Sequence, residues 1–195
     1  KCRKRIGLTA WLFYAISTAI NLKPDMEFTM EANPESLTSA MVKDIFALGI
    51  NRLSIGVQSF DDQLLGFLGR AHDSKQAQKA IKTAKERFEN INLDIICGIP
   101  GQSIDQLKAT LHKAIELKPT HISVYPLSIE PHTRFHKWVM EGRIKNVDED
   151  NQAEHMEIAS EILSNAGFCR YEIANYAKPG YECRHNCGYC SGQPY

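Results

Sequence analysis

The sequence predicts an α/β fold in which parallel strands form part of a β/α barrel or an open, doubly wound sheet. Four short apolar runs alternate with helical patterns, and strands joined by helical crossovers must be parallel. Polar residues gather where these strands end, which is typical of β/α barrels, whose chemistry lies at the carboxyl ends of the strands. Four such units are too few to close an eight-stranded barrel of ~250 residues. We therefore expect a partial barrel.

Each element of this first part is predicted from apolar periodicity and from the residues that end each run. The expected elements are, in order, a helix over 8–22, a strand over 27–31, a helix over 38–48, a strand over 52–58, helices over 61–68 and 74–88, a strand from 91, a helix over 103–117 and a strand from 121. Pro24 ends the first helix, and Gly49 is a typical stop for the second. The letters GIPG break the third strand.

The pattern changes after Pro131. We expect a short helix, a polar loop, and a long helix over 148–165 that ends before Gly167. A strand over 169–178 and a turn at Pro179 and Gly180 follow. The last part therefore reads as a helix-and-strand extension of the sheet.

Composition indicates a soluble globular chain of 195 residues, with 23 basic and 23 acidic side chains. This balance gives no field that would favour nucleic acid or an anionic membrane. Polar residues interrupt the apolar N-terminal stretch, so we expect an amphipathic helix there rather than a secretory signal or a membrane span of ~20 apolar residues. The alternative is a targeting or anchor segment. Without a signal peptide, we expect a cytoplasmic, reducing location and few disulfides.

Three polar side chains at or in the strands are candidates for ligand binding. Glu31 and Gln58 end strands, where the alternatives are a solvated carboxylate and a loop-capping amide. Asp94 lies inside the apolar run INLDIIC, so its carboxylate must be paired or must bind something. The histidines show no metal-type spacing, so each is expected to be a surface or hydrogen-bonded residue: His72, His112, His121, His132, His136 and His155.

Three cysteines lie within the eight residues CRHNCGYC: Cys183, Cys187 and Cys190. A [4Fe–4S] cluster is usually held by four thiolates, so a triad would leave one iron open to a small molecule. Zinc would need a fourth ligand, which His185 could supply. The third alternative is that these are solitary thiols in a terminal segment.

Several stretches together resemble one protein family: EANPES, GINRLSIGVQSFDDQLLGFLGRAH, NINLDIICGIPGQ, HISVYPLSIEPHT and YEIANYAKPGYECRHN. They are similar to the radical S-adenosylmethionine (SAM) proteins related to oxygen-independent coproporphyrinogen III oxidase, and most similar to the heme-chaperone branch known as the HemW type. The resemblance implies a partial radical-SAM, TIM-like barrel over residues 1–131 and the start of the family's C-terminal extension over 132–195. It also implies that Glu31, Gln58, Arg70 and Asp94 contact SAM. Arg70 would then pair with the SAM carboxylate.

The sequence departs from the family pattern at both ends. The family's cluster motif, C-x3-C-x-Y-C followed by a Gly-rich loop, is not found near the first strand. Where the family has HNxxYW, this sequence reads HNCGYC, so Cys187 and Cys190 replace an apolar residue and Trp. We therefore expect a fragment of a longer protein. We also expect the three thiols to lie together on a terminal turn, outside the SAM pocket.

By resemblance, the expected function is heme binding and transfer within heme or porphyrin metabolism. The implied cofactors are SAM, a [4Fe–4S] cluster and heme; the implied partners are heme or porphyrin and heme-receiving proteins. His185 is a candidate heme ligand because it lies in the HN segment. The alternatives are a radical-SAM coproporphyrinogen III oxidase and an inactive truncation.

Overall fold

The computed structural model of the chain describes residues 25–190, together with 11, 15, 18, 19, 23 and 192. The helix predicted over 8–22 lies outside the continuously described part. In chain order the elements are β1 (Thr29–Ala32), a 3-10 turn (Pro34–Ser36), α1 (Ser39–Ala47), β2 (Arg52–Gln58), α2 (Asp62–Leu68), α3 (Ser74–Ala84), β3 (Asn90–Cys97), α4 (Ile104–Glu116), β4 (His121–Pro126), α5 (Arg134–Met140), α6 (Glu149–Asn165), β5 (Cys169–Arg170), β6 (Asn175–Ala177) and α7 (Arg184–Cys190). No helix in this part has the length and apolar content that a membrane crossing needs.

One six-stranded sheet organises the described residues, in the order β1-β2-β3-β4-β6-β5. The first four strands are parallel, as predicted, and each pair is joined by helices on one side. β6 then runs antiparallel to β4, and β5 pairs antiparallel with β6 at the edge. The mixed α/β fold of mostly parallel strands is thus confirmed.

The two faces of this sheet differ in chemistry because side chains alternate along each strand. One face is apolar and packs against α1, α3, α4 and α6; its buried strand residues include Leu53, Ile55, Val57, Ile91, Leu93, Ile95, Ile122 and Val124. The opposite face is polar, and its buried strand residues are Arg52, Ser54, Asn92, His121, Ser123 and Asn175. The core therefore lies between the sheet and the helices, and the polar face is left for a site.

Side-chain caps fix where several helices begin. The carboxylate of Asp73 accepts the backbone N–H of Gln76, whose side chain accepts the N–H of Asp73 in return. Ser103 and Gln106 form the same capping box at the start of α4. Such boxes satisfy two N–H groups that a helix terminus otherwise leaves unpaired.

The prediction of a single strand over 169–178 is wrong. The segment forms a hairpin of β5 and β6, because Glu172 turns back and accepts the backbone N–H of Ala174 and the side-chain amide of Asn175. The turn at Pro179 and Gly180 is present as predicted. The cysteine-rich stretch forms α7 rather than an isolated turn.

Candidate functional site

A pocket of about 710 Å³ opens beside the carboxyl ends of β1, β2 and β3. We call it the main pocket. Its lining includes all four side chains that the sequence resemblance selected, namely Glu31, Gln58, Arg70 and Asp94. The prediction that Glu31, Gln58 and Asp94 face one common cleft is confirmed.

Arg70 is held in the main pocket by two acceptors. Its Nη2 atom donates to Oδ1 of Asn33 at 2.6 Å and to the backbone oxygen of Gly56 at 3.1 Å. Arg70 lies just beyond the end of α2, in the gap between the helices predicted over 61–68 and 74–88. Gly69, at φ 71°, adopts the left-handed conformation that ends α2 and turns the chain towards β2. Asn33 is one of the polar residues that the sequence places at the strand ends, but sequence reasoning did not select it as a site residue.

Gly56 and Gln58 give the floor of the main pocket an irregular shape. The pairing register between β2 and β3 shifts between these two residues, and Gln58 has φ 68°. Bulges of this kind re-aim side chains and recur beside functional sites. A Cβ atom on Gly56 would lie 3.0 Å from Nε2 of Gln58 and 3.2 Å from Nη2 of Arg70. The absence of a side chain at Gly56 is therefore what lets these two polar groups converge.

Asp94 is a paired carboxylate that still faces the main pocket. Oδ2 accepts from the hydroxyl of Ser54 at 2.9 Å, and Oδ1 accepts from the amide of Asn92 at 2.8 Å. Burial raises the pKa of Asp94, and the charge of Glu31 raises it further. The two hydrogen bonds and the charge of Arg52 lower the pKa but do not cancel the effect of burial. Asp94 thus satisfies the expectation that a carboxylate inside such a strand is paired.

A buried hydrogen-bond chain leads from Asp94 to the C-terminal segment. Oδ1 of Asn92 lies 2.6 Å from Nδ1 of His121, and Nε2 of His121 lies 2.7 Å from the hydroxyl of Tyr171. Burial lowers the pKa of His121 to about 3, and the charge of Arg52 adds to this effect. His121 is therefore neutral, donates through Nδ1 to Asn92 and accepts through Nε2 from Tyr171.

The Tyr171 hydroxyl also anchors the start of α7. It accepts the backbone N–H of Cys183 at 3.2 Å and lies 3.5 Å from the side-chain amide of Asn186. Sequence reasoning expected His121 to be a surface or hydrogen-bonded residue and did not single out Tyr171. The alternation of His121 and Ser123 in β4, on the face that also carries Asn92 and Asp94, was the available signal.

A second cleft of about 400 Å³ adjoins the main pocket and shares Glu31 and Asp94 with it. Cys183, just before α7, and His185 and Asn186 of α7 also line it. The carboxylate of Glu27 accepts from Sγ of Cys183 at 3.2 Å and from the backbone N–H of Arg184 at 3.1 Å. α7 is thus fastened over this cleft by Glu27 and Tyr171.

Cys183, just before α7, and Cys187, within it, occupy different environments. Cys183 is buried in the second cleft, and burial together with Glu27 raises the pKa of its thiol. Cys187 is exposed one helical turn later. Cys183 does not line the main pocket, but it lies in the cleft that adjoins it. Among the described side chains, there is no group of three or more His, Cys, Asp or Glu residues placed to hold a metal ion. The side chain of Cys190 lies outside the description, so metal binding by the triad stays a prediction.

Comparison with known proteins places this geometry in a family context. The family pattern described as the radical SAM superfamily matches residues 7–114, more than half of the chain. Among solved structures, coproporphyrinogen III oxidase (HemN) from Escherichia coli superposes with a TM-score of 0.78 over 96% of this chain and 43% of its own. The sequence identity is 21%, so this likeness shows the fold alone.

Curated relatives are more similar in sequence. The heme chaperone HemW of Bacillus subtilis is 40% identical over 178 residues, which are 89% of this chain and 47% of that protein. HemW of Escherichia coli is 40% identical over 91% of this chain and 46% of its own length, and HemW of Synechocystis is 37% identical over 94% and 45%. This chain spans about half the length of these relatives. With the family pattern matched over residues 7–114 and the barrel-type sheet in place, the chain belongs to the radical SAM superfamily.

Proposed function

We propose that this chain is the SAM-binding part of a heme chaperone of the HemW type. The observation that carries the proposal is the convergence of Glu31, Gln58, Arg70 and Asp94 on one pocket of about 710 Å³. Sequence identity of about 40% to curated HemW proteins supports the choice of branch. The division into a barrel over 1–131 and an extension over 132–195 stays a prediction.

The main pocket offers suitable partners for the charged and polar groups of SAM. Arg70, already oriented by Asn33 and Gly56, would pair with the SAM carboxylate through charge-assisted hydrogen bonds. Glu31 is exposed and would attract the ammonium group. Gln58 and Asp94 present amide and carboxylate oxygens to the hydroxyl groups of the ribose. The missing Cβ at Gly56 leaves room for a ligand to approach the backbone.

The [4Fe–4S] cluster that the family implies does not fit the described residues. Cys183 is buried with a raised pKa and donates to Glu27, whereas a cluster ligand is a thiolate. The family's cluster motif is not found beside β1. We therefore assign no cluster chemistry to the described side chains, which do not include that of Cys190, and the reductive step of radical-SAM enzymes is not part of the proposal.

Heme is the proposed cargo, with a heme-receiving protein as the partner and the cytoplasm as the location. His185, in the HN segment of α7, lies beside the second cleft and is the proposed iron ligand. The alternative function, oxidation of coproporphyrinogen III, is supported by fold likeness to HemN at 21% identity alone. Sequence identity therefore favours the chaperone.

Hemin titration tests the proposal. We expect the chain to bind one hemin and to shift the Soret absorption of the hemin. In His185→Ala, we expect the part of this shift that comes from coordination of the iron by His185 to be lost. His112→Ala is the matched control, because His112 is exposed on α4, away from the second cleft. A wild-type chain that leaves the hemin spectrum unchanged would rule out the heme function.

A further inference from the structure

Arg52 is a buried cation that has no ionic partner among the described residues. Arg52 is only 4% exposed, and its Nε atom has no hydrogen-bond partner. None of the ion pairs within the described part of the chain involves Arg52, so no carboxylate there lies within 4.0 Å of its guanidinium. Burying a charge without a partner is costly, so buried charges are normally paired or bind a ligand.

Arg52 has open space in front of it. It begins β2 and lies on the polar face of the sheet, where it lines the second cleft of about 400 Å³. Ser123, Tyr125 and Asn175 line the same cleft and supply hydroxyl and amide groups. The cleft therefore combines a buried guanidinium with neutral hydrogen-bonding groups and room for a ligand.

The three carboxylates that line this cleft do not neutralise Arg52 by direct contact. Glu27 accepts from the thiol of Cys183 and from the N–H of Arg184, and Asp94 accepts from Ser54 and Asn92. Glu31 is exposed to solvent. In the strand register, Glu31 aligns with Ser54, and Asp94 aligns with Gly56. Ser54 and Gly56 are two and four residues beyond Arg52 in β2. The backbones of Glu31 and Asp94 therefore lie about 7 and 13 Å further along the strand direction than that of Arg52.

We propose that the second cleft binds a carboxylate group and that Arg52 is its anchor. The guanidinium is planar and presents paired N–H groups, which match the two oxygens of a carboxylate. The shared chemistry is an alkyl carboxylate, which has two sources. One is a free organic acid. The other is a propionate arm of heme, and only that version rests on the proposed function.

Stability without ligand separates a binding role from a structural role. Arg52→Met keeps most of the aliphatic stem and removes the buried charge. We expect its urea midpoint to equal or exceed that of the wild type, because loss of a buried cation that has no direct ion pair offsets the lost packing. Arg87→Met is the matched control, since Arg87 is exposed in the turn that follows α3. A midpoint clearly below both the wild type and this control would show that Arg52 is structural and would overturn the proposal.

Ligand binding then tests the site with three probes: succinate, hemin and hemin dimethyl ester. We expect wild type and Arg87→Met to bind hemin about tenfold more tightly than the ester, and Arg52→Met to bind both equally, because one charge-assisted pair is worth roughly that factor. If wild type and Arg52→Met prefer hemin over its dimethyl ester by the same factor, the heme version of the proposal is overturned. Thermal stabilisation by succinate that disappears in Arg52→Met supports the site for a free acid.

The outcomes also distinguish this proposal from the proposed function. If the wild type binds neither hemin nor its ester, the heme function fails, and the succinate experiment alone decides the fate of the carboxylate site. Stabilisation of the wild type but not of Arg52→Met by succinate then supports the site. No stabilisation of either protein overturns it.

Discussion

The Nδ1 atom of His121 lies 2.6 Å from Oδ1 of Asn92, and the amide of the same Asn92 donates to Asp94 in the main pocket. A neutral histidine on β4 therefore fixes the orientation of an amide on β3, and the amide fixes a carboxylate that faces the proposed ligand. Buried polar groups linked in this way hold one another in a single arrangement.

Removal of His121 should destabilise the fold. His121→Phe removes the acceptor of the Tyr171 hydroxyl proton and one of the two donors to Oδ1 of Asn92, which keeps its bond from Ser123. We expect a loss of about 1–3 kcal/mol in the free energy of unfolding, measured by urea denaturation, because the buried Tyr171 O–H is left without an acceptor and keeps its desolvation penalty. His112→Phe changes an exposed histidine and serves as the control. Equal stability of the two variants would contradict the structural role of the buried hydrogen bonds that His121 makes to Asn92 and Tyr171.

The same histidine should make stability depend on pH. The pKa of His121 is lowered to about 3 in the folded chain, against about 6.5 in the unfolded chain. The unfolded state therefore takes up a proton between pH 6.5 and 3 while the folded state does not, so this stability is present above pH 6.5 and is lost as the pH falls. We expect a slope of up to about 1.4 kcal/mol per pH unit from this group. His121→Gln should flatten the slope measured by urea unfolding at several pH values, whereas His112→Gln should not.

A methyl group at Gly56 should damage the main pocket. The added Cβ of Gly56→Ala would lie 3.0 Å from Gln58 and 3.2 Å from Arg70, so one of these side chains must move. We expect SAM affinity to fall about tenfold, which corresponds to about 1.4 kcal/mol. Gly66→Ala is the control, because the added Cβ would meet nothing within 4 Å. Gly66 lies inside α2, where alanine is favoured over glycine. Unchanged SAM affinity in Gly56→Ala would show that SAM does not bind against Gly56 and Gln58 at the floor of the main pocket.

The thiols of Cys183, just before α7, and Cys187, within α7, should react at different rates. Cys187 is exposed, whereas Cys183 is buried and has a raised pKa, and the thiolate is the reactive form. We expect iodoacetamide at pH 8 to label Cys187 well before Cys183, as measured by peptide mass spectrometry. Tyr171→Phe removes an anchor of α7 and should speed the labelling of Cys183. Labelling of Cys183 as fast as Cys187 in the wild type would contradict the docking of α7.

The sheet and its helices could be predicted because local signals agree with tertiary structure there. The apolar runs at β2 and β3 are buried against helices, and the boxes at Asp73 and Ser103 fix helix starts. Position alone indicated that Glu31, Gln58 and Asp94 share one edge of a parallel sheet. The resemblance added Arg70, which no periodicity could have placed, because Gly69 ends the helix before it.

The remaining features depend on contacts between residues distant in sequence. Glu172 interrupts the last predicted strand because its carboxylate accepts hydrogen bonds from Ala174 and Asn175 within the same turn. The hydroxyl of Tyr171 is bonded to His121, which lies 50 residues earlier. The buried thiol of Cys183 donates a hydrogen bond to Glu27, at the other end of the described chain. Spacing of the cysteines could not reveal this contact.

Titration of SAM by calorimetry into wild type, Arg70→Gln and Arg87→Gln tests the SAM pocket most directly. We expect wild type and Arg87→Gln to bind one SAM with equal affinity, and Arg70→Gln to bind it at least tenfold more weakly, because a charge-assisted pair with the SAM carboxylate is lost. Equal binding by all three proteins, or no binding by the wild type, would contradict the assignment of Glu31, Gln58, Arg70 and Asp94 to a SAM site.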